Sequence, residues 1–289
     1  MISGKAKVAC VLGWPVGHSR SPALHGTWLA RHGIDGAYVP LAIRPEHFAA
    51  AFRALPMLGI VGGNVTIPHK EAALAACDRV GDSARRIGAV NTFVVAPDGT
   101  IEGRNTDGFG FLENLRTTQP DWQPGTGPAM VLGAGGAARA VIVALLEAGV
   151  PRVRLANRSA ERARRLAGDL DAVGVGPIEV HAWDARGGAL ADCTLLVNAT
   201  SLGMTGQPAL DIDLAALPPA AVVADLVYVP LHTDLLVAAR ARGHRCVEGL
   251  GMLIHQARPG FEAWFGIRPE ASADLADLIL GNKNGGSTR

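Results

Sequence analysis

Chemistry is written most densely at Gly133-Ala134-Gly135-Gly136-Ala137-Ala138, a G-x-G-x-x-A run that follows an apolar stretch and opens a segment of helical character. Backbone N–H groups at the start of such a helix suit the pyrophosphate of a dinucleotide. The first glycine permits the tight turn, the second the close approach, and the last small residue the packing of helix against strand. An NAD site normally carries an acid about 20 positions on, where it takes the ribose 2′-hydroxyl. No acid stands there: Leu155-Ala156 runs into Asn157-Arg158-Ser159, with Arg162 one turn later. Two guanidiniums and two small polar side chains suit a 2′-phosphate, which points to NADP and so to hydride transfer. The blander alternative is that Arg158 and Arg162 only solvate a helix start.

Other polar groups gather where strands are expected to end. His18-Ser19-Arg20-Ser21-Pro22 lies between a strand and a helix, with Ser21 expected at the N-cap and Pro22 in the first helical position. Hydroxyls of Ser19 and Ser21 beside the positive end of a helix could hold a carboxylate, or Ser21 could serve only as a cap. In Asn64-Val65-Thr66-Ile67-Pro68-His69-Lys70 the period of two turns Asn64 and Thr66 to one face. Pro68 then stops the ladder and places Lys70 near the next helix, where a surface lysine is the simpler reading. Asn91 and Asn105-Thr106-Asp107 add amides and a carboxylate at further strand ends. Ligands of open α/β sheets sit at such ends.

Short apolar runs alternate with amphipathic segments, the pattern of an α/β protein with parallel strands. Expected strands are Lys7–Leu12, Ala37–Leu41 and Ile60–Val65, with helices over Pro22–Arg31 and Pro45–Leu55, the latter presenting Phe48, Ala51, Phe52 and Leu55 on one face. A hairpin joins Asn91–Ala96 to Thr100–Arg104 through Pro97-Asp98-Gly99. A helix over Thr106–Arg116 leads into the Pro- and Gly-rich stretch Gln119–Pro128, near which the domain changes. Beyond it come strand Ala129–Leu132 with helix Ala137–Ala148, strand Val153–Ala156 with helix Ala160–Leu170, and strands Leu195–Ala199 and Val222–Leu226. Helices over Met252–Trp264 and Ala271–Leu280 follow, and the polar tail Gly281–Arg289 is expected to fray.

A length of 289 residues accommodates two domains at roughly 100–200 residues each. With 27 basic against 26 acidic side chains and no basic block, the chain lacks the footprint of a partner for nucleic acid or an anionic membrane. Cys10, Cys77, Cys193 and Cys246 show no paired spacing, which suits a reducing cytoplasm rather than a disulfide framework or zinc site. The apolar run Val8–Leu12 is too short for a signal sequence, and Met130–Val150 is interrupted by glycines, Arg139 and Glu147, against a membrane span. The histidines form no metal-ligand spacing, so no metal is expected.

Taken together, the motifs resemble those of the shikimate dehydrogenase family. The resemblance runs from about Val11 to Phe261. It rests on Gly13-Trp14-Pro15-Val16-Gly17-His18-Ser19-Arg20-Ser21-Pro22, Asn64-Val65-Thr66-Ile67-Pro68-His69-Lys70-Glu71, Gly88-Ala89-Val90-Asn91-Thr92 and Asn105-Thr106-Asp107-Gly108. Asn198-Ala199-Thr200-Ser201-Leu202-Gly203-Met204 and Gly249-Leu250-Gly251-Met252-Leu253, with Gln256-Ala257, continue it. It implies two α/β domains: a substrate domain with an open, mainly parallel sheet over 1–107 plus 249–289, and a Rossmann NADP-binding domain over 108–248.

The implied activity is NADPH-dependent reduction of the 3-keto group of 3-dehydroshikimate to shikimate, in the cytoplasm, on the route to aromatic amino acids. Ser19 and Ser21 would bind the substrate carboxylate, and Asn64, Thr66, Asn91, Asp107 and Gln256 its hydroxyls, with Tyr228 nearby. Lys70 and Asp107 would be the catalytic pair. Thr200, Ser201 and Met204 belong to a loop that lies by the nicotinamide in the family, and Gly249 also falls at the cofactor. A protonated lysine suits the task, since hydride addition develops negative charge on a ketone oxygen.

The chain departs from the commonest family pattern at His69, where an aromatic ring is expected and where a charged imidazole would disfavour protonation of Lys70, and at Gly62-Gly63. Rival readings are a catabolic quinate/shikimate dehydrogenase, which the missing acid after the second Rossmann strand disfavours, and a non-catalytic ligand sensor, which Lys70 with Asp107 disfavours. A folate-linked dehydrogenase would leave Ser19 and Ser21 without purpose. A homodimer is compatible with the sequence.

Overall fold

The computed structural model describes residues 2–280; the tail expected to fray lies outside them. The chain divides into two compact units, one formed by the chain up to Thr106 together with the chain from Gln256 onward, the other by Asp107–His255. The first begins β1 (Lys7–Gly13), α1 (Ser21–Arg31), β2 (Gly36–Ala42), α2 (Phe48–Ala54), β3 (Ile60–Val65) and α3 (Lys70–Ala76). It continues β4 (Arg79–Val80), α4 (Asp82–Ile87), β5 (Thr92–Val95) and β6 (Ile101–Arg104). The sheet order is β2-β1-β3-β5-β6-β4. Strands β2, β1 and β3 run parallel, β5 pairs antiparallel with β3 and β6, and β4 lies parallel to β6.

The central strands read as apolar runs because both faces are covered. On one side Phe48, Phe52 and Leu55 pack with Leu12, Val65, Val90 and Phe93 in a buried cluster. An aromatic group, His25, Trp28, Tyr38, Phe261 and Trp264, fills another part of this unit. The indole Nε1 of Trp264 donates to the Phe93 carbonyl at 2.9 Å. A Cβ on Gly62 would sit 2.2 Å from that Nε1, and the residue holds φ +153, so the glycine is demanded by the indole lying against β3.

The second unit comprises α5 (Asp107–Thr118), β7 (Ala129–Leu132), α6 (Gly136–Glu147), β8 (Val153–Ala156), α7 (Ala160–Asp171) and β9 (Ile178–His181). After these come β10 (Leu195–Asn198), β11 (Val222–Asp225), α8 (Asp234–Ala241) and β12 (Arg245–Val247). Its sheet is parallel throughout, in the order β12-β11-β10-β7-β8-β9, with the reversal of winding between β7 and β10. Helix α9 (Gly249–Phe265) starts in this unit and its residues from Gln256 belong to the first, as does α10 (Leu275–Leu280).

Several expected elements differ in detail. The helix over Pro45–Leu55 is α2 flanked by 3-10 turns at Pro45–His47 and Leu55–Leu58; the apolar face survives while tighter bonds satisfy the ends. The final helix begins at Leu275 rather than Ala271, because Ser272 and Asp274 are drawn to Arg31. Helix α9 starts at Gly249, earlier than Met252. Ser21 is not the N-cap: Arg20 holds that position without a side-chain bond, and Ser21 and Pro22 are already helical.

Strands β10 and β11 end in register at Asn198 and Asp225. The buried Asp225 carboxylate accepts from Asn198 Nδ2 at 2.9 Å, Val227 N at 3.0 Å and Thr233 Oγ1 at 2.6 Å. Burial pushes its carboxyl from 3.8 up to about 6, against those three donors. The folded state therefore holds this proton more tightly than the unfolded chain, and the associated stability, full below 3.8, is lost as pH rises through about 6. Asp225→Asn keeps an acceptor for Asn198 and Val227 and removes the charge. Denaturant unfolding will show the variant gaining stability relative to the parent between pH 4 and pH 7; a difference independent of pH would contradict the assignment.

Candidate active site

At the ends of β3, β5 and β6 in the first unit, polar side chains that the sequence scatters over almost 200 positions form one buried hydrogen-bonded chain. Asn64 Nδ2 donates to Thr92 Oγ1 at 3.0 Å and to the Asn91 carbonyl at 3.3 Å. Thr92 Oγ1 lies 3.1 Å from Thr106 Oγ1, and Thr106 N donates to Asn91 Oδ1 at 2.8 Å. Asn91 Nδ2 then donates to Thr106 Oγ1 at 3.1 Å and to Gln256 Oε1 at 3.4 Å. Asn64, Asn91 and Gln256 are thus brought together by strand β3, the loop before β5 and helix α9. Buried amides require such partners, since each unpaired group costs about 1–3 kcal/mol.

Thr66 follows β3 and is half-buried, its backbone N–H donating to the Leu12 carbonyl at 2.9 Å. Its methyl group occupies the space where a Cβ on Gly13 would stand. Lys70 is the first residue of α3, half-buried, and its carbonyl accepts from Val90 N at 2.9 Å, which seats the lysine backbone beside the Asn91 segment. Ser19 Oγ accepts from Ser21 N at 3.3 Å, so Ser19 rather than Ser21 supplies the hydroxyl that serves the helix entry. Asp107 is buried and opens α5 in the other unit.

His69 stands in the aromatic role expected of its position. Its ring is buried, stacks on Phe48 at 4.4 Å and 16°, and places Nε2 2.7 Å from the Ile43 carbonyl. A carbonyl can only accept, so Nε2 carries a hydrogen. The imidazole thus fills an aromatic slot and gains a hydrogen bond that a phenyl group lacks.

In the second unit, Gly133 leaves β7 at φ +108, and a Cβ there would meet the Ala199 carbonyl at 2.8 Å, so both conformation and space exclude a side chain. Ala134 and Gly135 complete the turn, Gly136 and Ala137 begin α6, and Ala138 is fully buried against the sheet. Gly135 has nothing within 4 Å of its missing Cβ, and no side chain caps the helix it introduces. Open space before uncapped N–H groups fits a dinucleotide pyrophosphate.

After β8, Asn157 Nδ2 donates to the Ser159 carbonyl at 2.9 Å and Ser159 Oγ caps α7 by accepting from Arg162 N at 3.3 Å. Arg158 and Arg162 are exposed, and neither guanidinium has a carboxylate partner among the described residues. By contrast Arg139 and Arg154 are held by Asp169 and Asp192. Unneutralised guanidiniums beside the second Rossmann strand fit a 2′-phosphate.

The loop after β10 is wound on Asn198. Thr200 Oγ1 donates to Asn198 Oδ1 at 2.7 Å and accepts from Leu202 N at 3.0 Å, while Asn198 Nδ2 donates to the Leu202 carbonyl at 3.1 Å. Thr200 thereby shapes the loop, and Ser201 and Met204 are its exposed members. Tyr228 is half-buried after β11, and Gly249 is buried at the start of α9. Sequence reasoning passed over Asp225, Thr92 and Tyr38. An acid closing an apolar strand was the available signal for Asp225, and for Tyr38 it was one of only two tyrosines in the chain placed within an apolar strand.

The models of three domains match this chain in order: shikimate dehydrogenase substrate binding domain at residues 11–93, shikimate / quinate 5-dehydrogenase at 124–203, and shikimate 5'-dehydrogenase C-terminal domain at 249–276. The shikimate dehydrogenase (NADP(+)) of Paramagnetospirillum magneticum is 62% identical over 279 residues, 96% of this chain and 100% of its own length. A Thermus thermophilus shikimate 5-dehydrogenase solved with NADP(H) and shikimate superposes at TM-score 0.83, with 36% identity over 95% of this chain and 99% of its own. Corynebacterium glutamicum quinate dehydrogenase, solved with NAD, superposes at TM-score 0.88 with 30% identity, covering 96% of this chain and 99% of its own. Backbone likeness alone does not separate these activities. Identity over nearly the whole chain, with the domain models in order, establishes that the chain belongs to the shikimate dehydrogenase family.

Proposed function

We propose that this protein catalyses the reversible NADPH-dependent reduction of 3-dehydroshikimate to shikimate, with the unit that ends at Thr106 and resumes at Gln256 taking the substrate and the unit Asp107–His255 taking NADP(H). The observation that carries the reading is 62% identity across 96% of the chain to an NADP-dependent shikimate dehydrogenase. The buried amides Asn64, Asn91 and Gln256 support a polyhydroxylated substrate, and Ser19 and Ser21 a carboxylate on it. Thr66 and Tyr228 complete the substrate set. The absence of an acid at the end of β8, with neither Arg158 nor Arg162 paired to a carboxylate among the described residues, supports NADP over NAD. Four free cysteines suit a reducing cytoplasm.

When bound, NADPH supplies the hydride that becomes the new C–H bond at the substrate carbonyl carbon. Lys70, as an ammonium, stabilises the negative charge developing on the carbonyl oxygen and delivers the proton that makes it a hydroxyl. Asp107 supplies the carboxylate of the catalytic pair. The reverse reaction returns the proton to Lys70. Gly133, Ala134, Gly135, Gly136 and Ala137 would present backbone N–H groups to the pyrophosphate of NADP(H), Asn157, Arg158, Ser159 and Arg162 would serve its 2′-phosphate, and Thr200, Ser201, Met204 and Gly249 would line its nicotinamide end.

Steady-state kinetics with shikimate and quinate, each against NADP⁺ and NAD⁺, test the reading: the shikimate–NADP⁺ pair will have the highest kcat/KM, and a preference for quinate with NAD⁺ would replace it with the catabolic alternative. Lys70→Ala will lower kcat by orders of magnitude while KM for shikimate stays nearly constant, because the lost interaction is made mainly in the transition state. An equal loss of substrate affinity would contradict that role. Arg158→Ala will weaken NADPH more than NADH by about 1.5–3 kcal/mol, the worth of a hydrogen bond to a charged group. An unchanged ratio of the two affinities would remove Arg158 from the phosphate site.

A further inference from the structure

The amide of Asn64 has a determined orientation. Its nitrogen side faces the Asn91 carbonyl at 3.3 Å and Thr92 Oγ1 at 3.0 Å. A backbone carbonyl has no hydrogen to give, so that side must be the NH₂ group, and both its hydrogens are committed to the protein. Oδ1 therefore faces Tyr38, whose hydroxyl donates to it at 2.6 Å. One acceptor position remains on Oδ1.

Tyr38 reaches Asn64 across an intervening strand. It lies on β2 opposite Ala9 of β1, and Asn64 lies on β3 opposite Val11 of β1, so the phenol spans β1 where that strand carries a small residue. The ring is clamped: His25 stacks on it at 4.0 Å and 14°, and Trp264 lies 5.9 Å away. Burial raises the phenol well above 10, so it remains a donor throughout the working range. Burial likewise pushes His25 down to about 3, so the stacking partner stays neutral.

We propose that Tyr38 is a positioning residue for substrate specificity: by donating to Asn64 Oδ1 it holds that amide so that only an acceptor faces the ligand, and the site selects a ligand hydroxyl over a carbonyl, an ether or hydrogen at that position. This rests on the reading of Asn64 as a contact to a substrate hydroxyl. A turned amide would set Oδ1 against the Asn91 carbonyl, and the Tyr38 hydroxyl opposes the smaller rotations that the carbonyl alone permits. Discrimination follows because a ligand atom unable to donate leaves a buried acceptor short of a partner.

The test is kinetic, on the full-length protein, with Tyr38→Phe, Asn64→Ala and the double variant. Tyr38→Phe will raise KM for shikimate about three- to tenfold, the worth of one net hydrogen bond, with kcat within about twofold. Asn64→Ala will raise KM further, and adding Tyr38→Phe to it will change nothing more, because Tyr38 acts through that amide. A deoxy analogue lacking the hydroxyl that Asn64 accepts will bind Tyr38→Phe and the parent alike. If Asn64→Ala leaves KM unchanged, the reading of Asn64 is wrong. If Asn64→Ala raises KM but Tyr38→Phe does not, or the two effects multiply, the role given to Tyr38 is overturned. Thr92→Val, which strips the other side of the same amide, serves if Tyr38→Phe does not fold: a raised KM at constant kcat supports the device, and an unchanged KM overturns it.

Discussion

A buried amide at the end of a β-strand must find a partner for every hydrogen it carries, and both compact units are organised by that requirement. In the first unit Asn64 and Asn91 close β3 and the approach to β5, and their needs draw in Thr92, Thr106, Tyr38 and Gln256. In the second, Asn198 closes β10 and its needs draw in Asp225, Thr200 and Leu202. Because an unpaired group in a low-dielectric interior is costly, each network has few alternative arrangements. Polar side chains are thereby held still at the strand ends, where α/β sheets bind their ligands.

Packing around these networks is set by close approaches rather than by bulk hydrophobicity. Trp264 lies so tightly on β3 that Gly62 has no room for a methyl group, and its indole N–H is spent on the Phe93 carbonyl. Gly62 is therefore one half of a contact whose other half is a tryptophan on α9, while its neighbour Gly63 is crowded by Cys10 and Phe93. His69 shows the same logic. An imidazole fills an aromatic slot, stacked on Phe48, and adds a bond to Ile43 that ties the entry of α3 to the loop after β2.

The cofactor half rests on a contrast between neighbouring arginines. Arg139 and Arg154 are neutralised by Asp169 and Asp192, whereas Arg158 and Arg162 are exposed and neither guanidinium is paired with a carboxylate among the described residues. Charge left uncompensated after the second Rossmann strand matches an additional phosphate, and it agrees with the NADP-linked name of the 62% identical relative. The quinate dehydrogenase, which superposes more closely than the Thermus shikimate dehydrogenase, marks how far backbone similarity reaches: fold is shared, and the choice of substrate and cofactor is made by side chains.

The sequence by itself determined the alternation of strands and helices, the parallel Rossmann sheet, the glycine turn and the positions of the polar motifs, because these depend on local period, turn chemistry and short spacings. It misjudged the cap at Ser21 and the ends of α2 and α10, where a neighbouring hydroxyl, a tighter turn or a distant arginine outweighs local preference. It assigned no role to Asp225, Thr92 or Tyr38. Only the tertiary structure decided which way the Asn64 amide points, why Gly62 is glycine and what His69 does. Each of those answers depends on partners brought in from other strands and from α9, and hydrogen-bond direction is a property of the pair, which no single residue carries.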